Sequence, residues 1–167
     1  MVVPPKRFRY EVFSEMEKAV TEAGGQLDVC SLSSGTVNGT KGRTIQATLT
    51  PEDVNVGSYA AVVFGGGPGI VQYATEPDLI DLAHAFYQSG RYVAAMRVSQ
   101  EILANAELLA GKRVAGAQLS DKKLEQAGAT VTSQPVEVDG LIITAREPKA
   151  ARQFAQALVR ALTTYSW

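Results

Sequence analysis

The sequence predicts an α/β fold with a mostly parallel sheet and helices on both faces. Two runs, Tyr59-Ala-Ala-Val-Val-Phe64 and Tyr92-Val-Ala-Ala-Met96, are continuously apolar, as strands covered on both sides must be. Three longer segments, 10–23, 77–89 and 150–162, instead repeat apolar residues at helical spacing. The two kinds of segment alternate along the chain, which is the pattern that crossover connections between parallel strands require.

Taken in order, Met1-Val-Val-Pro-Pro5 reads as a short first strand, cut close at its start and halted by prolines that fix φ and lack an N–H donor. Val12, Met16, Ala19, Val20 and Ala23 mark one face of a helix from Tyr10 to Ala23, stopped by Gly24 and Gly25. Gln26 to Leu32 is a short strand. Ser33 to Gly42 is polar and contains Asn38-Gly39, a hairpin-turn signal, ahead of a Thr-rich strand at Thr44 to Leu49, so a small hairpin is expected at the sheet edge. Thr50 and Pro51 open a helical turn that Gly57 cuts short. The strand Tyr59 to Phe64 runs into Gly-Gly-Gly-Pro-Gly69, and a helix from Pro77 to Ser89 carries Leu79, Leu82, Ala83 and Phe86 on one stripe before Gly90. Tyr92 to Met96 passes through a polar corner, Met96 to Gln100, into a helix from about Ser99 to Ala110. A strand at Lys112 to Ala117 and a short helix at Asp121 to Ala127 follow, then Val136-Glu-Val-Asp-Gly140, turning into the strand Leu141 to Thr144. The last helix, Ala150 to Leu162, faces inward through Ala151, Phe154, Ala155, Leu158 and Leu162.

A chain of 167 residues fits one domain, 1–167. Sixteen basic residues against seventeen acidic ones leave no electrostatic grip on nucleic acid or an anionic membrane, so neither is an expected partner. No apolar run approaches the roughly 20 residues that cross a bilayer. A single cysteine cannot form an internal disulfide and no leader pattern is visible, which points to the cytoplasm. Cys30 reads as core packing, and His84 falls on the polar side of its helix; with no second histidine or thiol cluster, no metal and no cofactor are expected. The run Gly65 to Gly69 lacks the Gly-Lys-Ser/Thr ending of a phosphate loop.

Chemistry in an open α/β sheet belongs beyond the carboxyl ends of the strands, where the elbow Met96–Gln100 and the glycine corner Phe64–Gly69 would lie side by side. Arg97 occupies the elbow. A guanidinium stays protonated above about pH 12 and has five donors with no usable lone pair, so it binds anions and does not attack electrophiles. Ser99 reads as a helix cap, because no histidine is near it in sequence and Gly-x-Ser-x-Gly is absent.

Pro4-Pro-Lys-Arg-Phe-Arg9, Ala61-Val-Val-Phe-Gly-Gly-Gly-Pro-Gly69, Val93-Ala-Ala-Met96, Ile102 to Arg113 and Val138 to Ala145 together resemble the DJ-1/PfpI superfamily, in one register over nearly the entire chain. That resemblance implies a flavodoxin-like three-layer sandwich related to class I glutamine amidotransferases, and a homodimer or higher homo-oligomer. Superfamily members include intracellular peptidases, glyoxalase-like and deglycase-like enzymes, stress proteins and chaperones. Active members follow the strand matching Val93 to Met96 with a nucleophilic cysteine on a strained elbow, usually then histidine, glycine and proline; these positions here read Arg97, Val98, Ser99 and Gln100. The family's glutamate aligns with Val12, leaving Glu11 beside it as a possible substitute, and Gly66 and Gly67 match the glycines of its oxyanion hole.

The resemblance and its departures together lead to an expected pseudoenzyme whose cleft is vestigial or binds a small anion through Arg97, Gly66, Gly67 and Val98, aided by the N-terminus of the following helix. Arg97 is otherwise exposed or paired with Glu11, Glu15 or Glu101. The elbow is expected to relax once no thiol needs it, and Lys6, Arg7 and Arg9 are expected at a subunit contact. Two alternatives stay open. One is a cysteine-independent hydrolase, peptidase-like or glyoxalase/deglycase-like enzyme using Glu11 and a bound water; the other is a stress-related or chaperone-like interaction protein.

Overall fold

A computed structural model describes residues 1–164, so the last three positions of the expected domain, 165–167, lie outside it. Its elements are β1 Lys6–Phe8, α1 Tyr10–Glu22, β2 Gly35–Gly39, β3 Thr44–Ala47, β4 Ala61–Phe64, α2 Pro77–Gln88, β5 Tyr92–Met96, α3 Gln100–Asn105, β6 Arg113–Val114, α4 Asp121–Gln126, β7 Thr130–Val131, β8 Val136–Asp139, β9 Ile142–Ala145 and α5 Ala151–Thr164. The central sheet has the order β4-β5-β9-β8; its first three strands are parallel and β8 runs antiparallel to β9.

Pleating of β5 explains the layers, since successive side chains point to opposite faces. Tyr92, Ala94 and Met96 pack with Val12 and Met16 of α1 and with Phe154 and Leu158 of α5. Val93 and Ala95 join the opposite core, with Leu79, Leu82 and Phe86 of α2 and Ile102 and Leu103 of α3. The result is the flavodoxin-like three-layer sandwich that the resemblance implied. Phe154 and Phe86, both essentially buried, each contribute roughly 2–3 kcal/mol by leaving water.

Several boundaries differ from the sequence reading, each for a visible reason. The segments 1–5 and 26–32 pair only through single bridges, Val2 with Phe64 and Cys30, and Cys30 with Leu49. Pro4 and Pro5 lack the N–H groups that a longer ladder needs. The hairpin is present as β2 and β3, but its turn is not Asn38-Gly39: Asn38 pairs with Thr44, and the chain reverses through Thr40–Gly42 with Lys41 at φ +57 and Gly42 at +70. Gly39 serves packing instead, since a Cβ there would lie 2.7 Å from the Phe8 ring. The expected helix to Ala110 stops at Asn105, where Glu107 takes φ +59 and the Leu108 and Glu107 amides donate to Leu103 and Ala104 carbonyls. That is the Schellman pattern with glutamate in glycine's usual seat, so composition concealed it. Of the strand expected at 112–117, only Arg113–Val114 pairs as a ladder; Ala115 N–H donates instead to the Thr144 hydroxyl at 2.9 Å.

Candidate functional site

Glycine is obligatory at the first corner. Gly66 and Gly67 have φ +66 and +128, and a Cβ on Gly67 would lie 2.5 Å from the Arg7 carbonyl oxygen and 2.7 Å from the Arg9 nitrogen. The corner therefore lies flat against the backbone entering α1, with Arg9 N–H donating to Gly66 O at 3.4 Å. Gly65 N–H donates to Val2 O, whereas the N–H groups of Gly66 and Gly67 meet no acceptor among the described residues.

The second corner keeps its strain. Arg97 has φ +53, a left-handed conformation that costs a non-glycine residue roughly 1–2 kcal/mol, so the elbow has not relaxed. Ser99 does not cap the helix either. Its φ and ψ of −59° and −19° are already helical, too far inside the turn for its oxygen to reach the free amides. The side chain is fully buried, its Oγ has no partner among the described residues, and it lies 3.0 Å from where a Gly66 Cβ would be. The absent side chain at Gly66 gives Ser99 its space, and this locks the two corners together.

Between them opens a pocket of about 200 Å³. Arg97, Val98, Gly67 and Val12 line it, as do Arg9, Ile70 and Met96, with Val71 and Leu119 also in its wall. Val12 occupies the first-helix position with an aliphatic side chain. Gly66 is not part of the lining surface and acts from behind it through Ser99 and Met96.

Arg97 is half-buried and its guanidinium forms no hydrogen bond or ion pair among the described residues. None of its three expected partners reaches it. Glu11 pairs with Lys41 at 3.2 Å in a separate surface pocket, Glu101 approaches Lys123 at 3.9 Å, and Glu15 makes no ion pair among the described residues. A hydrogen bond from its own backbone, then Lys41 and the Arg9 charge, hold the Glu11 carboxyl below the usual carboxylate range. Glu11 thus stays ionised and faces away from the cleft. The helix after the elbow offers little either: α3 has six residues, too few for a substantial dipole.

Arg9 is a pocket residue that the sequence reading did not assign to the cleft. Lys6 and Arg7 are exposed, but Arg9 lines the pocket, and its Nε is buried with no acceptor among the described residues. The signal was present, because Arg9 and Val12 are three residues apart at the start of a helix and so share a face. Cys30 is buried in the core, and burial pushes its thiol up to about 11. His84 is exposed on α2. Among the described residues no cluster of histidine, cysteine or carboxylate side chains is arranged to hold a metal, and no helix is long and apolar enough to cross a membrane.

A parallel α/β sandwich with a glycine corner facing a left-handed strand-to-helix elbow defines the class of proteins built around a nucleophile-elbow cleft. Within that class the profile of the DJ-1/PfpI family matches residues 2–161, and the chain belongs to that family. An uncharacterized protein of Methanocaldococcus jannaschii is 36% identical over 165 residues, 97% of this chain and 80% of its own length. A protein of Pyrococcus abyssi named as a deglycase is 27% identical over 127 residues, 76% of each chain. The crystal structure of a ThiJ/PfpI domain protein from Brachyspira murdochii superposes with a TM-score of 0.96 at 29% identity, covering 99% of this chain and 95% of that one.

Proposed function

We propose that this member of the DJ-1/PfpI family works without cysteine chemistry, as a single-domain pseudoenzyme whose cleft receives a small anion through Arg97 and the backbone of Gly67 and Val98, with Gly66 shaping the corner behind them. One observation carries the reading: Arg97 is held in a costly left-handed conformation at a pocket wall without a partner for its charge among the described residues. A half-buried guanidinium with no counter-charge is unfavourable, and the strain adds to that, so an anion entering the pocket relieves the first and gives the second a purpose. The Gly67 amide, which has no acceptor among the described residues, and the second guanidinium at Arg9 support the same polarity.

The enzymatic alternative has lost its general base. With Val12 in the cleft and Glu11 bound to Lys41 outside it, no carboxylate side chain lines the pocket to activate a water. Thermal shifts with phosphate, sulfate and small carboxylates test the anion reading on the native protein and on Arg97→Ala. Stabilisation of the native protein that Arg97→Ala loses is the expected result, and equal shifts in both remove Arg97 as the receptor. Steady turnover of methylglyoxal or a peptide by the native protein overturns the pseudoenzyme reading.

A further inference from the structure

We infer that the anion this cleft accepts is a carboxylate on a small apolar body, roughly ten heavy atoms or fewer in all, a short branched or aryl carboxylate; the inference rests on the anion reading above and narrows its ligand class. Apart from the arginines and the glycine backbone, the walls are hydrocarbon: Val12, Ile70, Met96 and Val98 line the pocket. Val71 and Leu119 also line it, although 59% and 91% exposed. Among the described residues only three large hydrophobic side chains are exposed, and two of them sit at this pocket. Scattered apolar side chains on a surface need no explanation, but their convergence on one concave site with a cation is the composition of a small-molecule pocket.

Charge and volume point the same way. A carboxylate has two oxygens, which match the two parallel N–H bonds of one guanidinium fork and leave the remainder of the ligand free to be apolar. Phosphate or sulfate would turn its remaining oxygens toward Val12 and Met96, and burying unpaired polar atoms there is costly. An apolar cavity of about 150 Å³ accepts benzene, so about 200 Å³ holds a six-carbon body and leaves room for the carboxylate. Arg9 brings a second guanidinium to the same wall, its Nε buried without an acceptor among the described residues.

Isothermal titration of the native protein with benzoate, isovalerate, benzamide, malonate and phosphate tests this. Benzoate and isovalerate bind, benzamide binds at least tenfold more weakly, and phosphate and malonate bind more weakly than benzoate. Arg97→Gln weakens benzoate binding more than tenfold. Leu119→Ser, at a position too exposed to affect folding, weakens it roughly three- to tenfold through lost apolar contact and leaves any phosphate binding unchanged. If phosphate or malonate binds as tightly as benzoate, or Leu119→Ser has no effect on benzoate, the apolar-carboxylate inference falls while the anion reading stands. If benzamide equals benzoate, or none of the anions binds, both fall.

Discussion

An arginine flanks each end of β5, and the two are in opposite situations. Arg91, just before the strand, donates from its guanidinium to the carbonyls of Tyr59 and Gly57, and beside it the Tyr59 hydroxyl donates to Asp28 at 2.6 Å. Arg97, just after the strand, has a left-handed backbone, no partner among the described residues and a pocket in front of it. The same side chain is therefore a tie at the amino end of the strand and an open receptor at the carboxyl end. Burial does not separate them, since both are half-buried. What separates them is whether the neighbouring chain offers acceptors: at the amino end one turn, Val56–Tyr59, supplies two carbonyls, whereas at the carboxyl end the glycine corner has amides without acceptors among the described residues.

Substitutions that break this contrast rank by expected size. Gly67→Ala is the most damaging, because its Cβ would overlap the Arg7 carbonyl at a φ of +128; a loss of roughly 3 kcal/mol or more in urea unfolding is expected, with the pocket disrupted and the Arg91 end intact. Arg91→Ala should lose about 1.5–3 kcal/mol in the same measurement, the usual range for a hydrogen bond from a charged group. Arg97→Gly should gain about 0.5–1 kcal/mol, since glycine takes the left-handed conformation freely and no bond is lost. A loss there would show that Arg97 is tied to the protein after all.

The smallest effect is pH dependence at the Arg91 end. Hydrogen bonding from Tyr59, then from Gln26, holds the Asp28 carboxyl below its ordinary value, so its stabilisation is complete above that value and is lost as the solution is acidified through the lowered one. The same bond raises the Tyr59 phenol to about 12, so its share is complete below the ordinary value of about 10 and is lost as pH climbs through 12. Tyr59→Phe should therefore flatten the stability profile at both extremes while leaving anion binding at Arg97 unchanged. If the profile of Tyr59→Phe matches the native one, the Asp28–Tyr59 bond is not a stabilising tie.

The periodicity of α1, α2 and α5, the apolar runs of β4 and β5, and the two polar corners were legible in the residues themselves, because each depends on local spacing. Glycine stops at Gly24 and Gly90 were legible for the same reason, but the stop at Glu107 was not, since a non-glycine residue takes the left-handed seat only when the surrounding packing enforces it. The site divides in the same way. The presence of Arg97 at the elbow and of Val12 where a carboxylate would serve was written in the chain. The fate of their neighbours was not: Glu11 turning out to Lys41, Arg9 turning in, Ser99 buried without capping, and Leu119 placed at the pocket.

By itself the sequence determined the three long helices and the two central strands and that a permanent cation stands at the turn after β5, because helix and strand periods and side-chain ionisation are properties of neighbouring residues and of single groups. The tertiary structure alone decided that this cation has no partner among the described residues, since pairing depends on where segments far apart in the chain direct their side chains, and a rotation of one helix residue separates an ion pair from an open pocket.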